Sequence, residues 1–435
     1  MKQESLALNQ HWDTVAAAAL SPQAWPFHLS MLPPATYLVG GSVRDALLER
    51  HADYLDLDFV LPTGAVKVAK AIANHYQVGF VLLDAERQIA RVVFEKATVD
   101  FAQQVGPSLE IDLQRRDFTV NAIAYNPHTA QLLDPMQGYA DLQKRLIRMI
   151  ASENLKEDPL RLLRAYRQAA QLGFTLEPDT CDTIQHLAPL LQQVAAERVQ
   201  AEVGYLLSTP QGTALLARAW RDGLFKHWLP HITPTGLEQV EQIDQAAIAL
   251  QHSCSGFALE LCGWLRDQQK MSLAGRSWLK VAKLTCLIAP DAALAEQELW
   301  QLKYSRAEVQ AVLTVLRFLP QVQSTQLANL SLREQYYLFR GVGAVFPAIA
   351  VLAVAAGTPI AAIAPLIARF LNPDDPVAHP NPLLTGHDLM TTLQISAGPQ
   401  IGQLLEALQL AHAEGKIANR SEALVLAQQM LTAND

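Results

Sequence analysis

Leucine and aspartate alternate through Leu55-Asp56-Leu57-Asp58-Phe59-Val60, a period of two that a strand reproduces and a helix does not. On a strand, Asp56 and Asp58 project from one face while Leu55, Leu57 and Phe59 bury the other. Two carboxylates held this close repel each other unless a cation lies between them. Mg²⁺ takes hard oxygen donors of this kind and commonly shares its coordination sphere with substrate phosphates. Upstream, Gly40-Gly41 precedes a helix expected over Val43–Glu49, whose first amides can receive an anion. Each feature alone is commonplace, since Asp-x-Asp also marks solvated strand ends and Gly-Gly also marks turns. Together and in this order they point to chemistry on a nucleoside triphosphate.

A chain of 435 residues is too long for one core and should divide into about three or four sub-domains. Half of it is hydrophobic and only 17% is charged, which excludes a disordered chain. The first residues, Met1-Lys2-Gln3-Glu4-Ser5, lack the apolar core of a secretion signal. Val345–Leu371 is rich in Ala, Ile and Val, but Pro347, Gly357, Pro359 and Pro365 should cut it into pieces too short to span a bilayer. Buried helices are the expectation there. Cys181, Cys254, Cys262 and Cys286 have neither metal-ligand nor redox spacing, and read as buried, reduced thiols of a cytoplasmic protein. A net charge of −8 argues mildly against nucleic-acid binding. Locally the balance reverses: Lys144, Arg145, Arg148, Lys156, Arg161, Arg164 and Arg167 face only Glu153, Glu157 and Asp158.

Residues 1–34 read as a helical lead-in. Strands are expected at Tyr37–Val39, Leu57–Leu61, Phe80–Leu83, Ile89–Phe94 and Thr98–Phe101, with a helix over Ala65–His75. Beyond Leu142 the strand signal stops and helical periodicity takes over. The fold class is α+β, an α/β head followed by an all-helical remainder. His227, His231, His252 and His387 read as surface or packing residues.

Two further motifs carry chemistry. In Arg115-Arg116-Asp117-Phe118-Thr119-Val120-Asn121, adjacent guanidinium forks suit phosphate oxygens and Asn121 suits a ribose hydroxyl. The bland alternative is a capped loop running into a helix over Val120–Tyr125. In Glu157-Asp158-Pro159-Leu160-Arg161-Leu162-Leu163-Arg164, Pro159 opens a helix that sets Asp158 and Arg161 on one face. The bland alternative is a solvated helix start with an ion pair such as Glu157–Arg161. The sharper reading is base recognition. A carboxylate accepts from an exocyclic amine, and a guanidinium donates to the ring nitrogen beside it. Cytosine and adenine offer that pattern; uracil and guanine oppose a carbonyl to the carboxylate.

These motifs identify the chain as resembling class II members of the tRNA nucleotidyltransferase and poly(A) polymerase family, the CCA-adding enzymes. The matching stretches are Gly40–Asp45, Asp56–Asp58, Arg115–Ala122, Asp134–Leu142, Glu157–Arg164 and Ala196–Val203, with a weaker match near Leu384–Leu389. The resemblance implies a polymerase-β-like catalytic head over 35–142, a neck over 143–235 with the base-template helix, a body over 236–375, and a tRNA-binding tail over 376–435. It implies that Asp56 and Asp58 bind Mg²⁺, with Asp100 as a third catalytic acid. Gly40, Gly41, Arg44, Arg115, Arg116, Asn121, Asp158, Arg161 and Arg164 would bind the nucleotide, CTP or ATP. Asp134, Gly138 and Asp141 resemble the head–neck joint. The implied reaction is in-line attack of a tRNA 3′-hydroxyl on the α-phosphate, with two metal ions and loss of pyrophosphate. Full CCA-adding relatives carry a longer loop between the Asp100 strand and the arginine pair. Here only Phe101–Gln114 fill that interval, which in the family accompanies addition of CC alone. Complete CCA addition, a poly(A) polymerase and a non-catalytic RNA-binding protein on the same fold are the alternatives.

Overall fold

A computed structural model describes residues 20–50, 54–264, 276–322 and 329–432. Most of the expected lead-in, and Asp53 beside the acidic strand, lie outside these residues. The described end of the lead-in holds two single-turn 3₁₀ helices, Pro22–Ala24 and Leu29–Met31. The described residues form two compact units. One runs to Val194 and takes in Arg221–Leu224; the other holds Ala195–Trp220 and everything from Phe225 onward. The division falls inside the expected neck.

The first unit is built on a seven-stranded sheet. Its strands are β1 (Tyr37–Val39), β2 (Leu55–Leu61), β3 (Gly79–Asp84), β4 (Ile89–Val93), β5 (Ala97–Gln103), β6 (Ala124–Asn126) and β7 (Gln131–Leu133). Their spatial order is β3-β4-β5-β2-β1-β6-β7. β2 and β5 run parallel, linked by a crossover that includes the helix Ala65–Tyr76 and the β3–β4 hairpin; the other neighbours are antiparallel. The β2–β5 register sets Phe59 beside Phe101, whose rings stack at 5.4 Å, and Asp58 beside Asp100. Trp25 packs edge-on against Phe59 at 5.1 Å. Alternation along β2 thus buries an aromatic layer on one side and leaves the acids on the other.

The run expected as a helix over Val120–Tyr125 is instead a 3₁₀ turn, Thr119–Asn121, followed by β6. Asn126 precedes Pro127, which disfavours helix, and β6 gains ladders on both sides, to β1 and β7. Strand signal also persists past Leu142 in a small way: Leu146–Ile147 and Thr175–Leu176 pair in parallel. Between them stand the short helix Ser152–Glu157 and the template-motif helix, Leu160–Leu172, which ends at Gly173 in the left-handed conformation (φ 69°). That helix buries Leu160, Leu162, Leu163, Ala165, Tyr166, Gln168 and Ala169, leaving Arg161, Arg164 and Arg167 as a half-exposed stripe.

Among its described residues the second unit holds helices and connecting loops and no strands. Leu332–Ala355 is a 24-residue helical run, the α-helices Leu332–Val342 and Phe346–Ala355 joined by the 3₁₀ turn Gly343–Val345; it is apolar enough by length and composition to cross a membrane, with 67% of its most apolar window buried in protein. Pro347 sits in the first turn of Phe346–Ala355, where a proline costs no hydrogen bond and a helix begins, but Pro365 lies inside the helix Ile360–Leu371 and does not divide it, which corrects the expectation there. Burial itself is as expected. The cysteines need a correction too. Cys181 and Cys254 are buried, but Cys286 is half-buried and Cys262 exposed, and all four are free thiols.

Candidate active site

Asp56 and Asp58 lie on β2, and both line a cleft of about 380 Å³ with Trp25, Gly41, Arg44 and Tyr54. Asp56 accepts a hydrogen bond from Thr98 Oγ1 at 2.7 Å. Asp58 is pushed up to about 6, first by burial and then by the charges of Asp56 and Asp100; Arg116 and Arg91 pull it back only partly. Asp100 faces Asp58 across the register, as a third acid should, but it is already engaged. Arg91 on β4 donates to both its oxygens, each at 2.7 Å. Arg91 is a residue that sequence reasoning missed. Its signal was a lone cation in the short apolar strand Ile89–Val93.

Gly40 enters the site by a left-handed turn (φ 78°), where a Cβ would stand 3.3 Å from Asp58 Oδ2 and 3.4 Å from Arg116 Nη1. Glycine is needed both for the angle and for the close approach. The helix that follows begins at Gly41 and ends at Leu47, two residues earlier at each end than the pattern suggested. From it, Arg44 chelates Asp45 through Nε and Nη2 at 2.9 and 3.0 Å and donates through Nη1 to Asn121 Oδ1 at 2.8 Å.

The arginine motif divides in two. Arg115 pairs with Glu157, in place of the Glu157–Arg161 pair considered from the sequence. Arg116 lies 3.6 Å from Asp112, and its Nε is buried without a hydrogen-bond partner. Asp117 is the hub of the region. Burial raises its carboxyl, but Arg164, Asn121 and the Phe118 amide together hold it below the usual carboxylate range. Arg164 reaches Asp117 Oδ2 through Nε and Nη2 at 3.0 and 2.9 Å. Asn121, expected at a ribose, is buried, and its amide group is fixed by Asp117, Gln168 and Arg44.

Asp158 does not lie within the template-motif helix. It precedes Pro159, and its Oδ1 accepts from the Leu160 amide at 3.3 Å, capping the helix start. Arg161, in the first turn, donates through Nη1 to the carbonyls of Arg115 and Asn154, both at 2.9 Å. The Arg161 amide donates to the Asp158 carbonyl at 3.0 Å, so the two residues stand at one helix end, although the helix itself begins after Asp158. At the expected joint, Asp134 accepts from the amides of Gly138 and Tyr139 at 2.7 and 2.9 Å, and Asp141 accepts from Thr119 Oγ1 at 2.7 Å. A Cβ on Gly138 would lie 2.2 Å from the Thr119 carbonyl, so any larger residue would push these segments apart.

Known proteins match the chain along most of its length. Residues 36–108 and 102–148 match the poly A polymerase head domain. Residues 173–235 match a probable RNA and SrmB- binding site of polymerase A, and residues 276–427 a putative domain 2 of tRNA nucleotidyltransferase. A CC-adding tRNA nucleotidyltransferase of Synechocystis is 48% identical over 94% of this chain and 96% of its own length. The chain belongs to the tRNA nucleotidyltransferase family. Within that family, a CC-adding enzyme of Geobacter sulfurreducens is 32% identical over 91% of the chain and 92% of its own. An A-adding enzyme of Deinococcus radiodurans is 31% identical over 92% and 96%. A solved CCA-adding enzyme complexed with ATP has the same fold, with a TM-score of 0.70 at 20% identity, covering 100% of this chain and 96% of that one.

In this nucleotidyltransferase the donor set fits a divalent cation. Asp56 and Asp58 share a face, and the carboxyl of Asp58 is raised first by its burial and then by Asp56 and Asp100 beside it. Among the described residues no three His, Cys, Asp or Glu side chains form a ready-made cage. Mg²⁺ does not require one, since it completes its octahedron with water and substrate phosphates.

Proposed function

We propose that this enzyme adds CC to the 3′ end of tRNA, transferring CMP from CTP and releasing pyrophosphate. The observation that carries the choice of CC is the closed connection between β5 and the arginine motif. Only Gln104–Ser108 separate β5 from the helix Leu109–Gln114. Asp112 accepts from the Val105 amide at 2.9 Å, and Gln104 Nε2 donates to the Gly106 carbonyl at 3.1 Å. Gly106 (φ 82°) passes so close to Ile111 that a Cβ would lie 2.7 Å from it. A connection this short and tied leaves no room for the long loop of full CCA-adding relatives. The full-length similarity to CC-adding enzymes supports the same reading.

Asp56 and Asp58 would hold Mg²⁺, which when bound would supply Lewis-acid activation of the 3′-hydroxyl and charge neutralisation for the leaving pyrophosphate. Arg91 fixes Asp100 beside them by donating to both its oxygens. Arg116, whose buried Nε lacks a partner, offers that donor to the triphosphate, with Arg44 and Arg115 as further cations. Asp158 and Arg161 judge the incoming base, accepting from its amine and donating to its ring nitrogen. Arg164 acts through Asp117, and Asn121 through Arg44, as much as on the nucleotide directly. Asp134, Gly138 and Asp141 form the joint about which the template helix reorients. Residues 376–435 seat the tRNA, and the site of action is the cytoplasm.

The test supplies purified enzyme with tRNA lacking CCA, or ending in C or CC, and one labelled nucleotide at a time. Addition of CMP to the first two substrates and of nothing to the third is expected. AMP added to the third would establish full CCA addition, and AMP added to any RNA would establish a poly(A) polymerase.

A further inference from the structure

Gln168 lies on the buried side of the template-motif helix, 2% exposed, where a polar side chain needs hydrogen-bond partners to be tolerated. Its Oε1 accepts from Asn121 Nδ2 at 2.9 Å, and its Nε2 donates to Asp117 Oδ2 at 3.3 Å. Asn121 Nδ2 also donates to Asp117 Oδ1 at 2.8 Å. Both amide protons of Asn121 are therefore spoken for by acceptors, which turns Oδ1 the opposite way, onto Arg44 Nη1 at 2.8 Å. Arg44 already spends Nε and Nη2 on Asp45, so Nη1 is the corner that the amide steers.

We propose that Gln168 is a positioning residue for nucleotide binding, fixing the amide orientation of Asn121 so that Arg44 is held in place from the template helix. The proposal rests on the functional reading above, in which Arg44 and Asn121 serve the nucleotide. Without Gln168, one of the two acceptors facing the Asn121 amide is lost. A turned amide would then present N–H groups to a guanidinium that can only donate, and the contact would fail. Gln168 follows Arg164 by four residues, one helical turn, and both reach Asp117 Oδ2. The carboxylate hub thus joins the template helix to the glycine-motif helix by neutral and ionic contacts together.

The test replaces Gln168 with Met, which keeps the length and removes both hydrogen bonds. Steady-state CMP incorporation is measured for Gln168→Met, Asn121→Ala and the double variant, at a temperature well below the melting point of each. Gln168→Met should raise KM for CTP about tenfold while kcat stays within about twofold, the pattern of lost ground-state binding. In the Asn121→Ala background the same substitution should change KM by less than about twofold, because its effect passes through Asn121. A KM equal to wild type, or effects that simply multiply in the double variant, would overturn the proposal. If Gln168→Met does not fold, Gln168→Leu is read in the same way. If the wild-type enzyme fails to incorporate CMP, the functional reading fails; if it succeeds and Gln168→Met matches it, only the positioning role does.

Discussion

Asp58 in the head and Lys283 in the helical body are both charges withdrawn from water, and they are treated differently. Lys283 is wholly buried, but Asp244 lies 2.6 Å from its Nζ and Thr213 Oγ1 3.0 Å away. The body balances its buried charge internally. Asp58 is instead raised first by burial and then by the carboxylates of Asp56 and Asp100, and Arg116 and Arg91 reverse this only in part. A region that closes its electrostatic account is complete as it stands, whereas one that leaves a surplus requires a partner from outside. The contrast separates scaffold from site without reference to any motif.

The comparison breaks first at the acids. Asp56→Ala or Asp58→Ala should lower CMP incorporation by at least about a thousandfold, with circular dichroism and tRNA binding nearly unchanged. Retained activity in a single-turnover assay would remove the metal assignment. In the body, Lys283→Met should destabilise by about 3–5 kcal/mol because it strands Asp244 in a buried setting. Denaturant unfolding checks this, and replacing Asp244 with Leu as well should recover most of the loss.

A smaller effect is expected at the helix start. Asp158→Ala should narrow the preference for CTP over UTP by about 10–100-fold, measured as a ratio of kcat/KM values. Unchanged selection would reject the template role.

The smallest effect carries the most information on sign. A carboxyl whose folded-state pKa is raised binds more protons folded than unfolded, so its contribution to stability falls as pH rises. For Asp58 the window lies between the ordinary value of 3.8 and about 6. Asp58→Asn should therefore inactivate the enzyme and yet raise the melting temperature of the metal-free protein at pH 7 by a few degrees, on the order of 1–2 kcal/mol. That gain should vanish as pH is lowered from 6 toward 4, and Mg²⁺ should stabilise the wild type more than the variant. Differential scanning calorimetry at pH 4 and pH 7 decides it.

Much of the head was legible because its signals are local. The alternation Leu55–Phe59 encodes a strand with two faces, and Pro159 encodes a helix start, whatever surrounds them. Val120–Tyr125 failed for the opposite reason: a short apolar run takes its state from its neighbours, and here β1 and β7 claimed it. The partner of Asp100 was equally out of reach, since Arg91 meets it through strand register. Glu157 was read toward Arg161 by helical spacing and found Arg115 across a loop instead.

By itself the sequence determined which residue types stand at which spacing: two acids on one strand face, a glycine pair before a helix, an acid and an arginine at a helix start. Those are consequences of backbone periodicity, which each segment carries with it. Only the tertiary structure decided which charges meet. Arg91 closed on Asp100, Gln168 and Asp117 met Asn121, and Asp58 was buried among Asp56, Asp100, Arg116 and Arg91. Pairing depends on distances between segments far apart in the chain, and burial turns those distances into energies that no local pattern encodes.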